Sequence, residues 1–181
     1  MGRKRLIFFS VLALIAAVAV CLLFAYVYGK KPFPDFLDMF LGKSTVSLYF
    51  ADANNAFLES EQRSISRPAD PAEFGRVIIE FLIKGSEGGL GRTIPGEASL
   101  KSFYISKDGT AFADFTAEIR DRHPGGSSSE LLTVYSIVNS LIMNIPEIKR
   151  VKILIEGRES ATLVGHMDLR SPFKANSLLV R

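Results

Sequence analysis

Residues 6–28 read LIFFSVLALIAAVAVCLLFAYVY, 23 positions without a charge. At about 1.5 Å per residue, a helix of this length spans roughly 35 Å, enough to cross a hydrocarbon core about 30 Å thick. Nothing else in the chain is so constraining. Such a segment either crosses a bilayer or is removed as a signal peptide, and whatever folds in water must follow it. The apolar region of a signal peptide usually runs about 7–15 residues, so the length favours an uncleaved transmembrane helix. Ala17-Val18-Ala19 keeps cleavage open as the alternative. Arg3, Lys4 and Arg5 outweigh Lys30 and Lys31, which places residues 1–5 in the cytoplasm and the rest outside. Cys21 is the single cysteine, so the body of the protein holds no internal disulfide; Val20 stands where a lipidation signal would put a small residue.

The leader also explains the charge. The formal net charge is +3, but residues 1–31 hold five of the 22 basic residues and no acid. The remainder carries 17 basic against 19 acidic residues. A basic pI therefore reports the anchor and gives no support for nucleic-acid binding. The chain is long enough for one domain of ordinary size.

Residues 29–43 are expected to be a juxtamembrane linker, residues 44–175 the folded domain and residues 176–181 a tail. Thr45–Phe50 alternates, with Val46, Leu48 and Phe50 on one face, as a strand does. Phe57–Ser64 is polar and extended, an expected edge strand. Asp70-Pro71-Ala72-Glu73 is a helix start, followed by Phe74, Val77, Ile78, Phe81 and Leu82 as one stripe, with Gly85 as its end. Ser102–Ser106 and Thr110–Phe115 form a hairpin across Lys107-Asp108-Gly109. Ser127–Ser129 are expected to cap a second helix with a stripe at Leu131, Val134, Tyr135, Val138, Leu141, Ile142 and Ile145, stopped by Pro146. Val151–Ile155 and Ala161–Met167 read as two more strands. The order ββαββαββ predicts an α+β fold: a two-layer sandwich with two helices on one face of a mixed or antiparallel sheet.

Little in this body points to chemistry. Gly91–Ala98, GRTIPGEA, has the glycine spacing of a phosphate loop, but Glu97 replaces the lysine and Ala98 the hydroxyl. A helix precedes it and a strand follows, the reverse of what a phosphate loop needs. The glycines serve a turn, and no nucleotide is expected. His123 and His166 are the only histidines, too few for a zinc site without cysteine. A Ser-His-Asp set from Ser127–Ser129, His123 and Asp114 lacks a nucleophile elbow. Asp114 and Glu118 could act as a carboxylate pair only across a cleft. No catalytic residue, cofactor or metal is assigned.

The motifs in order resemble the GerM domain family, a sporulation and spore-germination domain, over roughly residues 45–173. The matching pieces are VSLYF at Val46–Phe50, Arg63, FLIKG at Phe81–Gly85, TIPGEASL at Thr93–Leu100 and GTAFADF at Gly109–Phe115. GGSSSE at Gly125–Glu130, IPEIKRVKILIEG at Ile145–Gly157 and GHMDLRSPF at Gly165–Phe173 complete them. Ser86, where the family often has proline, and Thr116, where it often has serine, depart from the pattern. The resemblance implies a non-enzymatic, extracytoplasmic module similar to ring-building domains, tethered in the bacterial inner membrane. Expected partners are other envelope proteins or further copies of the chain; a cell-wall polymer is the alternative. The contact surface is expected at the outer face of helix 130–144, the Gly85–Pro95 loop, strand 57–64 and the basic cluster near residue 150. Its residues are Arg63, Gly89, Arg92, Glu130, Lys149, Arg150 and Lys152.

Overall fold

The computed structural model describes residues 43–181. The expected membrane span and nearly all of the linker lie outside them. No helix among the described residues is long and apolar enough to cross a membrane.

The first strand, β1 (Lys43–Ala51), turns Val46, Leu48 and Phe50 into the core, as the alternation predicts. A tight turn follows, held by Asp52, whose Oδ1 accepts from the Ala56 and Phe57 amides at 2.7 and 3.1 Å. It returns the chain as β2 (Leu58–Ser66), antiparallel to β1 through nine paired positions without a bulge. Helix α1 (Pro71–Lys84) starts as its sequence dictates: the Asp70 carboxylate accepts from the Glu73 amide at 3.1 Å and Pro71 opens the first turn. Gly85, at φ 93°, ends it. The Arg92 side chain then donates to the Ile83 and Lys84 carbonyls, which the last turn leaves open.

The hairpin β3 (Leu100–Ile105) and β4 (Thr110–Phe115) is antiparallel. A single-turn α2 (Glu118–Asp121) and the long α3 (Ser127–Asn144) then cross over to β5 (Arg150–Ile155), which pairs parallel with β4. The α+β class stands, but the sheet is divided. β1 and β2 form a two-stranded sheet, while β3, β4 and β5 form a three-stranded mixed one. Helix α1 packs on β3 and β1, and α3 packs on β1, β5 and α1.

Helix α3 is therefore covered on nearly all sides. Leu132, Val134, Ile137, Val138 and Leu141 are buried, but so are Thr133, Ser136, Asn139 and Ser140. An apolar stripe read from sequence describes one side of such a helix only. The expected serine cap also fails. Gly126 is the N-cap at φ 88°, no side chain caps the helix, and Ser128 donates instead to the Asn55 carbonyl at 2.7 Å.

Residues 161–167, expected as a strand, form turns with one isolated Thr162–Asp168 bridge. Residues 176–181 are docked. Val180 bridges to Leu58, and the Asn139 amide group bonds both the N–H and the C=O of Asn176, at 2.9 and 3.0 Å.

One glycine decides how closely α1 meets β3. A Cβ on Gly75 would lie 2.2 Å from the Phe103 ring. Alanine favours a helix by about 1 kcal/mol over glycine, but here the overlap wins. Gly75→Ala is expected to destabilise by about 1–3 kcal/mol, read as a lower urea midpoint at unchanged slope.

Candidate functional site

The segment GRTIPGEA is built into the body by backbone contact. Gly91 exchanges two hydrogen bonds with Ala51, at 3.0 and 2.8 Å. A Cβ at Gly91 would stand 3.1 Å from that of Ala51, so the glycine permits the approach of two backbones. Ile94 then enters the core, and Thr93 meets Ser136 at 2.7 Å.

This segment forms one wall of a cleft of about 320 Å³. The loop Arg122–Pro124 and the first turns of α3, at Ser129, Leu132 and Thr133, form the others. Arg92, Glu97 and Arg122 stand exposed at its rim. Its one histidine is committed to structure. His123 Nδ1 accepts from the Gly125 amide at 3.0 Å, which leaves the proton on Nε2, 2.9 Å from Thr133 Oγ1. The Thr133 hydroxyl in turn lies 2.5 Å from the Thr93 carbonyl oxygen. Burial pushes the imidazole below its usual range, against a smaller opposing pull from the Glu130 carboxylate. Neither Asp114 nor Glu118 lines the cleft. Asp114 instead accepts from the Gly157 amide at 2.7 Å. Among the described residues no three metal-ligating side chains cluster, and no buried side-chain nitrogen or oxygen lacks a partner.

The structure sorts the seven expected contact residues into two groups. Glu130 is fully buried and does not belong to any surface. Its carboxylate accepts from the amides of Val164, His166 and Met167 at 3.0–3.2 Å and meets His166 Nδ1 at 2.8 Å. Burial works to raise this carboxyl, but those donors outweigh it and hold it down at about 2. Lys152 is 2% exposed; its ammonium donates to the Leu169 and Arg170 carbonyls at 3.1 and 2.6 Å and faces Glu159 at 3.2 Å. The chain after β5 covers it, so the basic cluster is reduced to Lys149, which is exposed, and Arg150, which pairs with Asp108 at 2.7 Å.

Arg63 is 7% exposed. It pairs with Glu61 at 2.5 Å, donates to the Gly85 carbonyl at 2.8 Å and lies 5.8 and 5.7 Å from the Phe50 and Phe81 ring centres. Glu61 takes the Ser86 hydroxyl and the Glu87 and Gly88 amides, so the pair pins the loop after α1. Burial opposes ionisation of Glu61, yet those bonds and Arg63 bring its carboxyl down to about 2. Gly89 and Arg92 remain exposed, with the Arg92 guanidinium occupied at the end of α1. The outer face expected for helix 130–144 shrinks to Leu131, Tyr135, Ile142 and Met143. These buried charges look like surface ones in sequence, because the backbone groups that hold them lie 17–37 residues away.

A family model, Germane, described as sporulation and spore germination, matches residues 47–161. No curated protein sequence matches the chain. The fold is similar to that of a candidate lipoprotein from Clostridium perfringens, at 27% identity and a TM-score of 0.54, covering 74% of this chain and 89% of that one. It is also similar to the first GerMN domain of the sporulation protein GerM from Bacillus subtilis, at 22% identity and a TM-score of 0.56, over 74% of this chain and 98% of that one. The tandem GerMN domains of the same protein match at 22% identity and a TM-score of 0.58, over 73% of this chain but 46% of that longer one.

Proposed function

The chain belongs to the Germane family of sporulation and spore-germination domains, and from that premise we propose a non-catalytic assembly module of the bacterial envelope, anchored by residues 6–28 with its folded domain outside the cytoplasm. The observation that carries this reading is the internal use of the polar groups that acid–base or nucleophilic chemistry would need. Glu130, His123, Asp114 and Thr133 are each bonded within the domain. The exposed loops and strand edges are then left to do the work of contact. A tether holds the domain in a thin layer beside the bilayer and raises its effective concentration for neighbours held in the same layer. The similar Clostridium protein, described as a candidate lipoprotein, supports an envelope setting.

The test is cross-linking and affinity capture of the tagged full-length protein from its native membrane. Specific partners, or further copies of the chain, are expected. Monomers alone under every condition would sink the reading. A cell-wall ligand is the second reading, favoured by the cleft and by Arg122 at its rim. Retention of the protein on purified sacculi, abolished by Arg122→Glu, would select it.

A further inference from the structure

The two-stranded sheet has two edges, and the molecule treats them differently. The inner edge, on β1, is paired at Ser47, Tyr49 and Ala51. Asn144 bonds the Ser47 amide and carbonyl, Ser140 and Ser136 bond those of Tyr49, and Gly91 bonds those of Ala51. Ser47, Tyr49 and Ala51 thus turn their backbone groups away from β2. In an antiparallel pair, opposed residues either exchange both hydrogen bonds or both face away. The register partners Gln62, Ser60 and Leu58 therefore face outward too, and by the same alternation so do Ser64 and Ser66.

At Leu58 that outer edge is taken: its carbonyl accepts from the Arg181 amide at 3.0 Å, and Val180 pairs beside it. At Ser60, Gln62, Ser64 and Ser66 no backbone partner exists among the described residues. The strand carries charge at Glu59, Glu61 and Arg63, all on the other face. It has no lysine, proline or bulge, and these four side chains are uncharged and exposed.

We propose that this edge of β2 pairs antiparallel with the same edge of a second copy of the chain, about a two-fold axis at Arg63. The four open positions are symmetric about that residue. Ser60 then meets Ser66 of the second copy and Gln62 meets its Ser64, so every open N–H and C=O is used. On the other face the same register sets Glu59 opposite Arg67 of the second copy, twice. Both are exposed, and neither has an ion-pair partner among the described residues. Arg63 meets its own copy at the axis with its charge already matched by Glu61. Pro68 ends the pairing where Leu58 is already occupied. This charge complementarity selects a second copy over an arbitrary peptide. The inference rests on the assembly reading and gives it a partner. A contact this short is weak in dilute solution and gains its occupancy from the tether.

The experiment uses full-length protein in its membrane, in a Cys21→Ser background, with differently tagged cysteine variants co-expressed and oxidised. Gln62→Cys with Ser64→Cys, and Ser60→Cys with Ser66→Cys, are expected to give disulfide-linked dimers. Ser60→Cys alone is not, because its two copies would stand six positions apart, roughly 20 Å. Glu59→Lys is expected to lower the Gln62–Ser64 yield by about tenfold, a 1.4 kcal/mol effect, and adding Arg67→Glu is expected to restore it. Circular dichroism checks that each variant stays folded. Equal yields in every arm, or dimers in none, overturn the edge pairing. A photo-cross-linker at Gln62 that captures a different protein also overturns it while leaving the assembly reading intact. If no cross-linker at any exposed position captures anything, both fall.

Discussion

Glu130→Ala is expected to destabilise the protein by about 4 kcal/mol, within the range for removing one partner from a buried ionic network. That is a large share of the roughly 5–15 kcal/mol that holds a domain folded. The carboxylate sits on the first turn of α3 and has no exposed surface. It is the acceptor for three amides of one loop, Val164, His166 and Met167. Without it those amides stay buried with no acceptor, each costing about 1–3 kcal/mol. Glu130→Gln keeps one acceptor oxygen but turns an NH2 towards donors, and is expected to cost about half as much. Urea denaturation gives the totals. Hydrogen exchange locates them: the 164–167 amides should lose protection first. A Glu130→Ala protein within about 0.5 kcal/mol of the parent, the usual range for surface changes, would show the network to be dispensable.

The same group sets a pH dependence. Its pKa of about 2 in the folded protein lies below the ordinary 4.5. A depressed carboxyl stabilises the fold in full above the unfolded value, and that stability is lost as pH falls towards the folded one. The stability gap between parent and Glu130→Gln should therefore close between about pH 4.5 and pH 2. His123 acts in the same direction: its depressed imidazole favours the fold when neutral, and that contribution is lost as pH falls below the ordinary histidine range.

The double change Ser136→Ala and Ser140→Ala is expected to cost about 3 kcal/mol, because it orphans two buried backbone groups at about 1–3 kcal/mol each. Ser136 donates to the Tyr49 carbonyl at 2.6 Å, and Ser140 accepts from the Tyr49 amide at 3.0 Å. Asn144 continues the row one turn further on, bonding both backbone groups of Ser47. Spaced four positions apart, the three lie on one ridge of α3. Together they do for β1 what a third strand would do. If Ser136 and Ser140 belonged to a solvated helix face, the double variant would be nearly neutral. The midpoint of urea unfolding separates the two cases, and exchange at the Tyr49 amide reports whether the lost stability arises there.

The strands at residues 45, 102, 110 and 151, the first helix with its Asp70 cap and Gly85 end, and the hairpin through Gly109 follow from local rules. A residue's preference for strand, cap or turn depends on neighbours within one turn or one pleat, and those neighbours are adjacent in sequence. The family pattern was legible for the same reason, as a series of short motifs in order. The division into two sheets was not, since nothing local says which edge a strand pairs with. Residues 161–167 alternate like a strand, yet their amides turn to the Glu130 carboxylate.

The sequence by itself determined most of the elements, the Asp70 cap and Gly85 end of the first helix and the α+β class, because each is settled by short-range geometry and by burial of apolar faces. Only the tertiary structure decided which charges are surface and which are interior. Glu130, Lys152 and Arg63 read as solvated groups. They are held inside because acceptors and donors from distant segments converge on them, and a charge's burial depends on those partners rather than on its own neighbours.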